Sequence, residues 1–379
     1  MSIYVHIPFC HSKCAYCGFY SVAGTSMRQE WLKALCCEIV TRKTEMGEES
    51  IHQTIYFGGG TPSMLSPQEW NTILNTIEEN YNIAPDAERT LEANPEDITP
   101  TNATLWRTLG FNRLSIGVQS LNDNALKASK RRHSAHEARR AIETALKAGF
   151  TNIGIDFIIG LPESEASDIN LAEQLLKELP ITHLSLYILS IDEGSILYKK
   201  TENGTFTPPS DDAEADMYKE YCQMIKAQGF EHYEISNFAK PGYRSRHNSA
   251  YWEQKPYLGF GPAAHSYNGS DMRKWNIANI KKYCEAWLNS EASSTTGYEM
   301  EILGKPDRYN ELIMTRLRTS DGIPMSLLHS QSFIEYWETN RRALQKYLDM
   351  GVARIENDKL LLTEEGWLIS DAIFTDLFC

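Results

Sequence analysis

The sequence lacks an apolar run near the roughly 20 residues that a membrane-spanning helix needs, and its start, MSIYVHIPFC, does not have the parts of a secretory signal. Low-complexity tracts are also missing, and 42% of the 379 residues are hydrophobic. These absences argue against an anchored, secreted or disordered chain. We therefore expect a folded cytoplasmic protein without a membrane anchor.

Positive charge is scarce as well, because 37 Lys and Arg stand against 50 Asp and Glu, for a net charge of -13 at pH 7. Nucleic acid or anionic lipid would be repelled overall, so no nucleic-acid partner is expected. The basic run at residues 127–132 is interpreted as a solvated helix end, with a polyanion site as the alternative.

Short β-rich runs alternate with helical stretches in the first half, which is typical of a parallel sheet with crossover helices. The runs are residues 3–7, 54–57, 90–93, 114–118, 153–159 and 183–188. This α/β pattern predicts a partial (β/α)6 TIM-like barrel, and an open doubly wound sheet is the alternative. Ser66 and Glu69 form a capping box that predicts one of the helix starts.

The alternation fades after about residue 205, where a helix at 211–228 precedes an aromatic, glycine-rich region. A soft boundary near 293–297 predicts two parts, residues 1–295 and 296–379. The second part contains helical stretches and a short hairpin-like piece, which predicts a small α+β winged-helix-like module. The acidity of the chain favours a packing or substrate-covering role for this module over DNA binding.

Three of the eight cysteines crowd into the segment that follows the first predicted strand, as Cys10, Cys14 and Cys17. Three thiolates on one loop can each bind one iron of a [4Fe–4S] cluster and leave the fourth iron open. S-adenosylmethionine (SAM) can chelate that iron, and an electron from the cluster can then cleave its sulfonium. The alternatives are three unliganded thiols, or a zinc site completed by His6 or His11, although no second Cys pair supports zinc.

Polar residues and glycines follow other predicted strands, where ligand-binding groups converge in a barrel. Glycines 58–60 allow a close backbone approach to a ligand. Glu92, Gln119 and Asp156 each end a predicted strand. One such residue alone is better explained as a structural group. Together with the Cys loop they indicate a site, because buried polar groups need partners that SAM would supply.

The cysteine spacing resembles the radical SAM superfamily. A YVHIPFC start, CxxxCxYC, GGGTPS, IGVQS, D-x-I-x-GLP and the C-terminal module together resemble its coproporphyrinogen III oxidase-like (HemN/HemW) family over nearly the whole chain. The resemblance implies a [4Fe–4S] cluster on the three cysteines and a first SAM site formed by Tyr4, Tyr16, Gly59, Gly60, Thr61 and Glu92. In the oxidases of this family, a second SAM would contact the residues equivalent to Gln119, Arg131 and Asp156. Whether this chain binds a second SAM stays open.

Two departures make the chain more similar to the heme-chaperone branch than to the oxidases. The oxidase pattern has a fourth Cys where this chain has Phe19, and the oxidases extend further upstream of the Cys loop. The branch also carries an HNxxYW motif associated with heme binding, which HNSAYW at residues 247–252 matches. His247 would be an axial ligand of heme iron, and in a helix it would share a face with Tyr251. Without the resemblance, a hydrogen-bonded aromatic loop is the simpler interpretation, and the nearby His265 is interpreted as structural.

The resemblance thus implies a heme chaperone without oxidase activity. It would bind heme, carry a SAM-liganded [4Fe–4S] cluster and pass heme to an acceptor protein. The acceptor could be a membrane-bound respiratory protein, which would allow transient membrane association. The alternative is oxygen-independent decarboxylation of coproporphyrinogen III in porphyrin biosynthesis, and a radical reaction on an unrelated substrate is a third class.

Overall fold

A computed structural model describes residues 1–47, 49–289 and 297–379, so the predicted division at residues 295 and 296 lies outside the described residues. The strands are β1 (Ser2–Ile7), β2 (Phe9–Cys10), β3 (Val22–Ala23), β4 (Ile51–Gly59), β5 (Asn82–Ala93), β6 (Arg113–Gln119), β7 (Asn152–Ile159), β8 (His183–Ile188), β9 (Glu231–Glu234), β10 (Asn237–Ala239), β11 (Tyr257–Phe260), β12 (His265–Tyr267), β13 (Met272–Asn276), β14 (Tyr298–Ile302), β15 (Ile323–Pro324), β16 (Ala353–Glu356) and β17 (Lys359–Leu362).

The helices are α1 (Arg28–Thr41), α2 (Pro67–Asn80), α3 (Pro100–Thr108), α4 (Asp123–Ala128), α5 (Ala135–Lys147), α6 (Asp168–Glu178), α7 (Ile196–Glu202), α8 (Asp211–Ala227), α9 (Arg246–Trp252), α10 (Ile280–Leu288), α11 (Lys305–Leu317), α12 (Met325–Leu328), α13 (Ile334–Asp349), α14 (Glu364–Leu368) and α15 (Ser370–Leu377). Over the described ranges, none of these helices has the length and apolarity needed to cross a lipid bilayer.

Six parallel strands form the centre of the main sheet, and they are neighbours in chain order: β1, β4, β5, β6, β7 and β8. A doubly wound sheet would reverse its strand order at a switch point, and these six strands do not reverse. Each predicted β-rich run lies within one of them. The prediction of a partial (β/α)6 barrel is therefore confirmed.

The sheet continues on both sides with strands that the sequence did not predict. Beyond β1 come β11, β12, β13 and β14, and beyond β8 come β10 and β9. Among these additions, only β11 runs parallel to its neighbour in the centre, β1. They are three to five residues long. An alternation of apolar and polar residues is hard to recognise over so short a run.

Helix α2 shows how the crossover helices pack on the sheet. The predicted capping box is present, with Ser66 accepting from the backbone of Glu69 and the Glu69 side chain bonded back to Ser66. The buried face of the helix brings Trp70 against Phe57 of β4 and against Phe111, with ring centroids 5.1 and 5.0 Å apart. All three rings are fully buried. They form part of the apolar core under the sheet.

The C-terminal residues have a second apolar core, spread over α11 to α15 and a small sheet. In this sheet β17 lies between β15 and β16, and the order of helices and strands is that of a winged helix. This is the predicted α+β module. It contacts the main sheet through Arg318, whose guanidinium lies 3.1 Å from the Glu234 carboxylate and 3.9 Å from the centroid of the Trp252 ring.

We predict that Phe111→Ala lowers the free energy of unfolding by about 3–5 kcal/mol, because it leaves a cavity between two buried rings. Urea titration followed by circular dichroism measures this change. Leu171→Ala is the matched control, since Leu171 is 42% exposed on α6, and its effect should stay within about 0.5 kcal/mol. Equal losses in the two variants would contradict this description of the core.

Candidate functional site

The three predicted metal ligands lie on the loop that follows β1. None of them forms a disulfide, and each is partly exposed. Thr61 Oγ1 lies 3.5 Å from the Sγ of Cys10, and Arg131 Nη1 lies 3.4 Å from the Sγ of Cys14. All three cysteines, including Cys17, border the same cleft. The loop therefore presents three thiols to one space.

The two histidines that could complete a zinc site have other partners in the structure. The ring of His6 is engaged at both nitrogens, by the Tyr4 hydroxyl at 3.1 Å and the Tyr20 carbonyl at 2.9 Å. His11 lies 3.6 Å from the Asp97 carboxylate. The thiolates of an iron–sulfur cluster each bind a different iron, so they need not converge on one point.

The cleft beside the Cys loop has a volume of about 410 Å³, which is within the usual range for small-molecule sites. Besides the three cysteines, it is bordered by all but one of the predicted SAM residues: Tyr16, Gly59, Gly60, Thr61, Glu92, Gln119, Arg131 and Asp156. The exception is Tyr4. Its ring stacks on Tyr56 with centroids 6.1 Å apart, and it borders a second cleft. We call the first space the cluster cleft.

The glycine-rich turn fixes the Cys loop against the sheet. The backbone N–H groups of Gly60 and Thr61 donate to the carbonyl oxygens of Ile7 and Phe9, both at 2.7 Å. A Cβ atom on Gly60 would lie 2.7 Å from each of these oxygens, which is closer than real Cβ atoms approach. Glycine is therefore required here by the packing of the Cys loop, whatever ligand the cleft holds.

Glu92 provides a part-buried carboxylate in the cluster cleft. The Tyr56 hydroxyl donates to it at 2.7 Å and the Gly59 N–H donates to it at 3.2 Å. Burial, reinforced by the nearby Asp156 carboxylate, raises the pKa of Glu92 to about 7. An ammonium group beside it would favour the ionised carboxylate and pair with it.

Residues on β6 and β7 form another part of the wall. Asp156 accepts a hydrogen bond from Ser115 Oγ at 3.3 Å, and burial raises the pKa of this carboxyl. Ser115, Gly117 and Gln119 occupy alternate positions of β6 and border the cleft together. The sequence predicted only Gln119. Ser115 and Gly117 could have been predicted from Gln119, because alternate residues of a strand share a face.

Arg131 is less exposed than the other basic residues of the run at 127–132. Its Nη2 donates to the Asn94 side chain at 2.8 Å and to the Gly117 carbonyl at 2.7 Å. Its Nε is buried and has no hydrogen-bond partner among the described residues. Asn94, two positions after Glu92, is a cleft residue that the sequence reasoning missed. The guanidinium therefore brings a positive charge to the wall of the cluster cleft, beside Cys14.

The HNSAYW segment borders a second space, which we call the aromatic cleft and which has a volume of about 600 Å³. Its aromatic walls include Phe19, Tyr20, Tyr251, Trp252, Tyr257 and Tyr267. Gly18 and Phe19 border both clefts, so the segment after Cys17 separates them. The Phe19 side chain is 71% exposed. The place of the fourth oxidase cysteine is thus taken by an apolar ring between two clefts.

His247 is buried and held at both ring nitrogens. Its Nδ1 lies 2.7 Å from Thr54 Oγ1, and its Nε2 lies 2.9 Å from the Tyr251 hydroxyl. The second bond agrees with the expected shared helix face. Burial lowers the pKa of His247 to about 3, so the ring is neutral. Its role as a heme ligand stays a prediction, and ligation would require one of the two hydrogen bonds to break.

Comparison with known proteins agrees with these features. Residues 4–176 match the Radical SAM superfamily, and residues 303–369 match the HemN C-terminal domain. Heme chaperone HemW from Bacillus subtilis (strain 168) is 34% identical over 98% of both chains. Heme chaperone HemW from Mycobacterium tuberculosis (strain ATCC 25618 / H37Rv) is 32% identical over 99% of this chain and 94% of its own. The chain belongs to the HemW family.

Membership in the HemW family confirms the resemblance found in the motifs. Coproporphyrinogen III oxidase (HemN) from Escherichia coli has the same fold, with a TM-score of 0.85 over 100% of this chain and 89% of that chain at 24% identity. The radical SAM superfamily implies SAM and a [4Fe–4S] cluster as cofactors. The cluster cleft fits this pair, because it combines three thiols, the part-buried Glu92 carboxylate and the Arg131 guanidinium.

We predict that Glu92 makes the cluster-free protein less stable as the pH rises from about 4.5 to about 7. The folded-state pKa is about 7 against an ordinary value of 4.5, so the stabilising protonated form is lost over this interval. The free energy of unfolding should fall by up to roughly 3 kcal/mol relative to Glu92→Gln. Urea titrations at pH 5 and pH 7.5 measure it. The exposed Glu79→Gln should retain the wild-type dependence, and the same pH slope in Glu92→Gln would refute the assignment.

Proposed function

We propose that the protein is a heme chaperone that binds heme and transfers it to an acceptor protein while carrying a SAM-liganded [4Fe–4S] cluster. The observation that carries this proposal is the aromatic cleft beside HNSAYW, which is separate from the cluster cleft and shares the wall at Gly18 and Phe19. The family relatives that are named heme chaperones support the same function.

In this proposal Cys10, Cys14 and Cys17 hold the cluster as thiolates. Bound in this way, the cluster supplies one iron with an open coordination position for the amino and carboxylate groups of SAM. Glu92 would accept hydrogen bonds from the amino group, and Tyr16, Gly59, Gly60 and Thr61 are the other residues proposed for this SAM in the cluster cleft. Gln119, Arg131 and Asp156 border the same cleft and would contact a second SAM if one binds. Tyr4 would act from behind the cleft, through its stacking on Tyr56.

The aromatic cleft has the chemistry that a porphyrin needs. Aromatic side chains bury a large apolar area and stack on flat ring systems, and the volume of about 600 Å³ lies within the range of cofactor sites. Phe19 adds an exposed ring at the border with the cluster cleft. A phenyl ring has no thiol to ligate or to oxidise, so this position favours heme handling over an oxidase step that uses a cysteine.

The acceptor would be a heme protein that lacks its heme, for example a membrane-bound respiratory protein. The chaperone would then meet the membrane transiently, through its partner, from the cytoplasmic side. Its own acidity, a net charge of -13, favours recognition of the acceptor protein over recognition of an anionic lipid surface.

We predict that Cys14→Ser abolishes the cluster after anaerobic reconstitution with iron and sulfide. Losing one of three thiolates leaves two protein ligands, which do not hold the cluster. Bound iron per chain should fall to near background, together with the cluster absorption. Cys37→Ser is the matched control because Cys37 is an exposed cysteine of α1, and it should bind iron as the wild type does. Full iron binding by Cys14→Ser would exclude this ligand set.

We predict that the hemin-loaded protein delivers hemin directly to the apo form of a b-type respiratory cytochrome. Transfer should be faster than passive release to excess apomyoglobin, and its rate should rise with cytochrome concentration, because transfer proceeds through a protein complex. Stopped-flow absorption in the Soret region measures both rates.

Equal rates with the cytochrome and with apomyoglobin would mean that hemin is only released, and the chaperone proposal would fail. A second assay addresses the enzymatic alternative. The cluster-loaded protein is incubated with SAM, a reductant and coproporphyrinogen III, and the tetrapyrrole products are separated. No protoporphyrinogen should form, and its formation would contradict the proposal.

A further inference from the structure

Axial ligation of heme iron needs an imidazole nitrogen with a free lone pair that faces the heme. Two histidines border the aromatic cleft, His6 and His265, and His247 of the HNxxYW motif lies behind Tyr251. The ring nitrogens of His6 are taken by a tyrosine hydroxyl and a backbone carbonyl. Those of His247 are taken by Thr54 and Tyr251. Neither ring has a nitrogen available without a rearrangement.

His265 differs from His6 and His247 in its exposure at the cleft and in the availability of its ring nitrogens. It lies at the start of β12, and it is exposed at the cleft. Over the described residues, neither of its ring nitrogens has a hydrogen-bond partner. The ring is held by stacking on Trp275, its cross-strand neighbour on β13, with centroids 5.6 Å apart and an angle of 21° between the planes. Partial burial and the nearby Arg273 lower the pKa of His265, which favours the neutral form that binds metals.

We propose that His265 supplies the axial nitrogen to the iron of heme bound in the aromatic cleft, an inference that rests on the proposed heme binding. His247 is then a positioning residue. Its Nε2 fixes the Tyr251 hydroxyl, and its buried ring packs against Tyr4 and Tyr56 at centroid distances of 6.4 and 4.9 Å. In this arrangement the HNSAYW residues form part of the cleft wall, and the iron ligand comes from β12.

The surroundings of His265 suit a porphyrin that is bound through its iron. Arg273 borders the same cleft and is ion-paired with Glu301 and Glu311, so a porphyrin carboxylate would have to compete with these two for its guanidinium. Glu311 of α11, which lies 2.7 Å from Arg273, extends the cleft to the C-terminal module. Trp252 is held in the wall by the Arg318 guanidinium. Heme in this cleft would therefore touch both the sheet and the module.

The test is an anaerobic hemin titration of the full-length, cluster-loaded protein, followed by absorption and electron paramagnetic resonance. The variants are His265→Ala, His265→Gln and His247→Gln, with His136→Ala as the matched control, since His136 is an exposed histidine on α5. Wild type and His136→Ala should bind hemin with the spectrum of an imidazole-ligated iron. His247→Gln should keep that spectrum but bind hemin more weakly, because the Tyr251 hydroxyl loses the partner that positions it. Both His265 variants should lose that spectrum and bind hemin about tenfold more weakly or worse. Added imidazole should restore the spectrum in His265→Ala.

Three results would overturn the inference. The first is a wild-type spectrum in both His265 variants. The second is rescue by imidazole in His247→Gln and not in His265→Ala, which would assign the ligand to His247. The third is a wild type that binds no stoichiometric hemin, and this result alone would also reject the proposed function. Far-ultraviolet circular dichroism of each variant separates loss of the ligand from loss of the fold.

Discussion

Two backbone hydrogen bonds from a glycine-rich turn to the Cys loop determine where the chemistry of this protein takes place. The bonds join Gly60 to Ile7 and Thr61 to Phe9 at 2.7 Å, and they need a residue without a Cβ atom at position 60. They hold the loop at the carboxyl ends of the parallel strands, where side chains from several strands converge. The three thiols, the Glu92 carboxylate and Arg131 meet in one cleft as a result.

Much of the fold could be predicted, because the central strands are apolar runs long enough to recognise and the helices carry capping signals. The capping box at Ser66 and the six parallel strands are examples. The outer strands β9 to β14 could not, since they are only three to five residues long and a run of that length shows no clear alternation. Arg131 shows the same limit at the level of one residue. The basic run predicts exposure and only the family resemblance indicated a ligand-binding role, while the contact of its guanidinium with Cys14 needed the tertiary structure.

The aromatic cleft was beyond prediction for a related reason. It joins Phe19 after the Cys loop, the HNSAYW helix, His265 on β12 and Glu311 of the C-terminal module, and no periodic pattern links positions so far apart. The motif correctly indicated a histidine and aromatic rings near one another. It could not show that Thr54 and Tyr251 occupy both nitrogens of His247. The Phe19 side chain borders both clefts, so it lies between the proposed cluster site and the proposed heme site.

The central claim is that the cluster and heme occupy two adjacent clefts of the same chain. A crystal structure of the protein loaded anaerobically with cluster, SAM and hemin tests it most directly, through anomalous scattering at the iron edge. The account predicts iron peaks at Cys10, Cys14 and Cys17 and a separate peak in the aromatic cleft, within bonding distance of the His265 ring. Hemin iron found inside the cluster cleft, or at a surface away from Phe19 and His265, would contradict it.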